Sequence, residues 1–113
     1  MRRISTHILD LVHGKPASGV HVRLEEQIDG DWKILNSELT DQDGRCPQLL
    51  EEGEEMSAAV YRLIFDTGSY YSQKPINTLY PLVEVTFRAR DGESHFHIAL
   101  LLSPNGYTTY RGS

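Results

Sequence analysis

Three histidines and two arginines carry most of the chemistry this sequence can offer. They are His7 in STHILD, His95 and His97 in HFHIALL, Arg45 in TDQDGR and Arg111 in YTTYRGS. Residues two apart on a strand share a face. His95 and His97 therefore stand with Ala99 and Leu101, while Phe96, Ile98, Leu100 and Leu102 form an opposite face that looks like core. Such a pair has three readings. It can be ordinary sheet-face hydrogen bonding, or a zinc site with His7 as a third ligand. It can also do acid–base work, because imidazole's ordinary pKa of about 6.5 lets it take and return a proton near neutrality. Arg45 and Arg111 each bring a planar five-donor fork suited to carbonyl or anionic groups.

The remaining candidates are weaker. Cys46 is the only cysteine; Arg45 beside it would make the thiol more acidic, but a lone cysteine before Pro47 is poor evidence for a nucleophile. Asp41-x-Asp43-Gly44 has the start of a calcium loop without its later ligands or closing Glu. It reads as a turn that delivers Arg45 to the next segment. His13, beside the Gly14-Lys15-Pro16 turn, and His21, facing outward beside Arg23, receive no role.

The elements that must hold these residues have a period of two. Val20, Val22 and Leu24 alternate with His21, Arg23 and Glu25; Tyr61, Leu63 and Phe65 with Arg62, Ile64 and Asp66; Val83, Val85, Phe87 and Ala89 with Glu84, Thr86, Arg88 and Arg90. In ISTHILD, Ile4, Thr6 and Ile8 face one way, and Ser5, His7 and Leu9 the other. Alternation of this kind marks half-buried strands of antiparallel sheets. Turn residues separate them at Asp29-Gly30-Asp31, Asp43-Gly44, Asp91-Gly92 and Pro104-Asn105-Gly106; Asp91-Gly92 predicts a hairpin. The pattern gives an all-β fold, a β-sandwich of seven to eight strands. One short helix is expected near 66–74, and the acidic EEGEEMSA (51–58) reads as an exposed loop or helical turn.

At 113 residues the chain is expected to form a single domain, 1–113. Its formal charge of −5 and pI near 5.4 argue against a nucleic-acid partner. The longest apolar run, IALLL (98–102), falls far short of the roughly 20 residues of a membrane helix. The N-terminal residues lack the apolar core of a secretory signal. With one cysteine and no disulfide to form, a cytoplasmic protein is the expectation.

Taken together, THILDLVHGKPASGV, TDQDGR, HFHIALLLSP and YTTYRGS resemble the transthyretin-like family, and within it the branch that hydrolyses 5-hydroxyisourate. The resemblance spans residues 7–113 with the motifs in order. Tyr-Arg-Gly-Ser is its most specific part, because it separates the hydrolases from the hormone-carrying transthyretins. The family implies a two-sheet antiparallel sandwich with a short helix. It implies a homotetramer, a dimer of dimers, with sites in the channel where the dimers meet. It also implies a small-molecule substrate of urate breakdown, no cofactor and no metal.

By position, the resemblance makes His7, Arg45, His97 and Ser113 catalytic. It makes His7, Arg45, Tyr110, Arg111 and Gly112 substrate-binding, and does not make His95 the principal catalyst. Ala99 stands where the family often has proline; alanine can donate a ladder hydrogen bond that proline cannot. The chemistry fits: opening a cyclic amide needs a water, a base and donors where charge develops. Either His7 or His97 can be the base, Arg45 can grip the planar substrate, and Ser113 can orient water or a histidine through its hydroxyl or carboxylate. One competing expectation is a carrier that holds a small aromatic ligand in the same channel without turnover. A sandwich module for protein–protein contact is the other.

Overall fold

Apolar residues on one side of each strand set where the core sits. Ile4, Ile8, Phe96, Leu100 and Leu102 from one sheet, and Val22, Leu24, Leu63, Phe65 and Val83 from another, join one buried cluster. The computed structural model describes residues 3–50 and 59–113; the acidic stretch 51–58, expected as a loop or helical turn, lies outside them. In chain order the elements are β1 Arg3–Asp10, β2 Lys15–Pro16, β3 His21–Ile28, β4 Asp31–Leu39, β5 Arg45–Cys46, β6 Val60–Phe65, α1 Thr67–Ser72, β7 Val83–Arg88, β8 His95–Ser103 and β9 Gly106–Gly112. One sheet runs β2-β1-β8-β9 with β5 also on β1; the other runs β4-β3-β6-β7. Stacked, they are the sandwich that the alternation predicts. Strands β2 and β5, two residues each, bring the total above the seven to eight expected. Among the described residues, no helix is long and apolar enough to cross a membrane.

Three features depart from the sequence reading. β1 and β8 pair in parallel, with Ser5 opposite His97 and His7 opposite Ala99; the other strand pairs are antiparallel, as predicted. Asp91-Gly92 makes a turn but no hairpin, because β7 pairs with β6 while β8 lies between β1 and β9 in the other sheet. Glu25, expected to face outward, is buried. The β3–β4 register shifts at Leu24/Glu25, and the carboxylate is held by Arg23 at 2.7 Å and Arg62 at 2.6 Å. An unpaired charge there would be costly.

Local signals placed other elements as read. At Asp29-Gly30 both residues have positive φ, 52° and 84°, the geometry of a two-residue hairpin turn between β3 and β4. Asp66 caps α1, accepting from the Ser69 N–H at 3.1 Å and the Ser69 hydroxyl at 2.8 Å. The helix anchors β1 through Asp10, whose Oδ2 accepts from Tyr70 at 2.6 Å and from His13 at 2.6 Å. Burial alone would raise this carboxyl's pKa, but the bonds from Tyr70 and His13 hold it below the ordinary value.

The turn before β5 is packed against β1. Gly44 has φ +73°, and a Cβ there would lie 2.5 Å from the Ile8 carbonyl oxygen. Its own carbonyl accepts from the Ile8 N–H at 2.8 Å. A side chain at this position strains the backbone and pushes β5 off β1. Gly44→Ala should therefore lower stability in urea by roughly 1–3 kcal/mol; an unchanged midpoint would contradict this packing.

Candidate active site

The site is built on the outer face of the five-stranded sheet, and residue parity decides who belongs to it. Ile4, Thr6 and Ile8 are buried beneath β1, which turns Ser5 and His7 to the other side. Phe96, Ile98, Leu100 and Leu102 do the same beneath β8 and turn His95 and His97 outward. The parallel register then brings the two sets together. The His7 and His97 rings lie 6.5 Å apart, and those of His95 and His97 6.2 Å apart.

Arg45 arrives from the far edge of β1. It pairs with His7 in the β1–β5 register, held by the turn the Asp-Gly sequence predicts. Asp41 Oδ1 accepts from the Asp43 N–H at 2.9 Å and from the Arg45 N–H at 2.9 Å. Cys46 follows on the opposite, buried side. Burial, with Glu38 and Asp41 adding negative charge, pushes its thiol up to about 12. The shift is opposite to the acidification expected beside Arg45. Among the described residues, no group of three or more His, Cys, Asp or Glu side chains converges as metal ligands would.

Antiparallel β9 closes the other flank. His97 faces Gly112 and Ala99 faces Tyr110. Ala99 also keeps its carbonyl engaged, accepting from the Thr109 hydroxyl at 2.8 Å. A Cβ on Gly112 would fall 2.5 Å from His97 Cδ2, so the glycine makes room for the imidazole. Tyr110 is 52% exposed on the same face. Arg111 has the opposite parity and lies outside this group. Its guanidinium stacks on Phe96 at 4.6 Å, donates to the His95 carbonyl at 2.8 Å and pairs with Glu93.

The structure thus gathers His7, Arg45, His97, Gly112 and Ser113, leaves Tyr110 at the rim, and commits Arg111 elsewhere. A cleft of about 150 Å³ is lined by Arg3, Ser5, Arg45, His95, His97 and Ser113. Arg3 and Ser5 are additions to the sequence-derived set. Both share strand parity with His7, which was the available signal, but only the β8 register reveals their partners.

Electrostatics favours neutral imidazoles. Burial, then the Arg45 charge, lowers the His7 pKa, while a hydrogen bond to the Asp43 backbone partly opposes this. Burial also lowers His97, helped by Arg45, His95, His7 and Arg3. Two neutral imidazoles and a guanidinium on one face can abstract a proton, return one, and bind a carbonyl-rich anion.

Comparison with known proteins adds to this geometry. A family model described as the HIUase/transthyretin family matches residues 4–112. The 5-hydroxyisourate hydrolase of Salmonella typhimurium is 46% identical over 110 residues, covering 97% of this chain and 80% of that protein. The structure of Klebsiella pneumoniae 5-hydroxyisourate hydrolase superposes with a TM-score of 0.86 at 34% identity, covering 100% of both chains. Sea bream transthyretin in complex with thyroxine gives 0.90 at 35% identity, covering 97% of this chain and 94% of that one.

Histidine ring resonances followed against pH should show His7 and His97 titrating below the ordinary 6.5. Either one titrating above that value would contradict the electrostatic picture.

Proposed function

The chain belongs to the HIUase/transthyretin family, and from that premise we propose that it is a hydrolase of urate breakdown that opens the ring of 5-hydroxyisourate. The product is 2-oxo-4-hydroxy-4-carboxy-5-ureidoimidazoline. The observation that carries this reading is the cluster of His7, His97 and Arg45 on one sheet face, with both imidazoles biased towards neutrality. A relative named 5-hydroxyisourate hydrolase at 46% identity supports it.

In the proposed reaction, water attacks the carbonyl carbon of the cyclic amide. One imidazole takes the water proton as the new C–O bond forms. The other orients the water or gives a proton to the leaving ring nitrogen as the C–N bond breaks. The carbonyl becomes the carboxyl and the freed nitrogen ends the ureido arm. Arg45 grips the planar substrate through paired donors and stabilises charge on the carbonyl oxygen. Ser113 orients water or His97 at the cleft edge, and Tyr110 stacks on the heterocycle. Gly112 seats His97, and Arg111 stiffens the end of β9 through Glu93 and Phe96 rather than touching substrate. No step calls for a metal or cofactor.

We further propose that residues 1–113 act as one domain, in the cytoplasm, within a homotetramer whose paired sheets form the channel. The cleft, about 150 Å³, is about half the roughly 300 Å³ at the small end of small-molecule pockets. It opens on the outer sheet face, so a facing copy would complete it. A carrier without turnover is the second reading, favoured by the likeness to thyroxine-bound sea bream transthyretin. A carrier has no need of neutral imidazoles beside Arg45.

His7→Ala, His97→Ala and Arg45→Ala should each lower kcat/KM about 100-fold or more, the scale of lost acid–base catalysis. His21→Ala, on the other sheet, should not. Near-wild-type rates in all three would reject this site. Because protonation removes the base, kcat/KM should fall only as pH drops below the ordinary histidine range; an acid limb above it would contradict neutral imidazoles. Sedimentation should give the mass of four 12.8 kDa chains; a monomer would contradict the shared channel.

A further inference from the structure

Ser5 joins the two imidazoles of the His-x-His pair. Its Oγ lies 2.7 Å from His97 Nδ1 and 3.2 Å from His95 Nε2. The serine is almost wholly buried, so its hydroxyl has little access to water as an alternative partner. A hydroxyl has a single proton to donate, and the row can therefore run in two directions. In one, His95 donates to Ser5 and Ser5 to His97 Nδ1. In the other, His97 Nδ1–H donates to Ser5 and Ser5 to His95.

Arg3 selects between them. Its Nε lies 3.4 Å from His95 Nε2, and a guanidinium can only donate. The bond is long, but its direction is what counts: a second N–H at His95 Nε2 would point at a cationic donor. His95 Nε2 is then an acceptor whose single lone pair is shared by the Ser5 hydroxyl at 3.2 Å and the more distant Arg3 N–H, and Ser5 accepts from His97 Nδ1–H. His97 is left with its lone pair on Nε2. No described residue hydrogen-bonds that atom, and Gly112 keeps the space beside the ring clear. The groups facing His97 are Arg45 from β5, Arg3 and His7 from β1, and His95 on its own strand. Ser113, which follows β9, lines the same cleft.

We propose that Ser5, acting with His95 and Arg3, is a positioning residue that holds His97 in the Nδ1–H tautomer, so that Nε2 takes the proton from the attacking water. This rests on the hydrolase reading for the proton transfer and on the hydrogen-bond geometry alone for the tautomer. It also divides the labour: His97 is the base, and His7 is left to orient water or protonate the leaving nitrogen.

The test is nitrogen-15 NMR of the histidine rings in the whole protein at neutral pH without substrate, alongside kinetics. Wild type should show His97 protonated on Nδ1. Ser5→Ala should shift it towards Nε2–H and lower kcat about tenfold with little change in KM. Ser5→Thr, which keeps the hydroxyl, should preserve both. Nε2–H in active wild-type protein would overturn the proposal, as would a Ser5→Ala variant with unchanged tautomer and kcat. If Ser5→Ala does not fold, the wild-type spectrum alone decides. Nδ1–H in a protein that hydrolyses nothing would uphold the hydrogen-bonded row and overturn the reaction assigned to it.

Discussion

Parallel pairing between β1 and β8 sets every other distance at the site. It puts Ser5 opposite His97 and His7 opposite Ala99. Side chains on a strand alternate, so a slip of one residue would send the slipped strand's histidines towards the core and separate them from the other set. The slip is blocked from below. Ile4, Thr6 and Ile8 are fully buried, and the Thr6 hydroxyl donates to the Ile98 carbonyl at 2.7 Å. The apolar interior thus fixes the register, and the register fixes the chemistry on the opposite face.

The flanking strands depend on the same pair. β5 is only two residues long and stays on β1 because the Gly44 turn packs against Ile8. β9 follows β8 and brings Gly112 over the His97 ring. The site therefore draws on four strands from three separate stretches of the sequence, positioned by backbone pairing and, for β5, by the turn before it. Rigid support of this kind is what catalytic side chains need, because small errors in placement are costly to rate.

Side-chain parity was legible in the sequence. The outward positions of His7, His95 and His97 and the buried positions of Phe96, Ile98, Leu100 and Leu102 follow from alternation alone; the turn at Asp29-Gly30-Asp31 and the short helix near 66–74 follow from local residue types. Pairing partners were not legible, because register depends on contacts between residues far apart. That is why the parallel β1–β8 pair, the Ser5–His97 bond and the crossover at Asp91-Gly92 appear only in three dimensions. Parity could have separated Arg111 from Tyr110 and Gly112, and Cys46 from Arg45, once β9 and β5 were recognised as strands. The terminal Tyr-Arg-Gly-Ser was singled out by family resemblance, not by spacing, and the buried Glu25 was hidden by a register shift that local sequence does not announce.

Two guanidiniums, Arg3 and Arg45, stand near two imidazoles whose pKa values are lowered by burial and positive charge, a setting that suits an anion while keeping a proton acceptor available. A carrier would gain from the first property only. The most direct measurement is the ultraviolet absorbance of 5-hydroxyisourate, generated from urate by uricase, with and without the purified protein. Decay that accelerates in proportion to added protein is the predicted result; decay at the same rate with and without it would contradict the account.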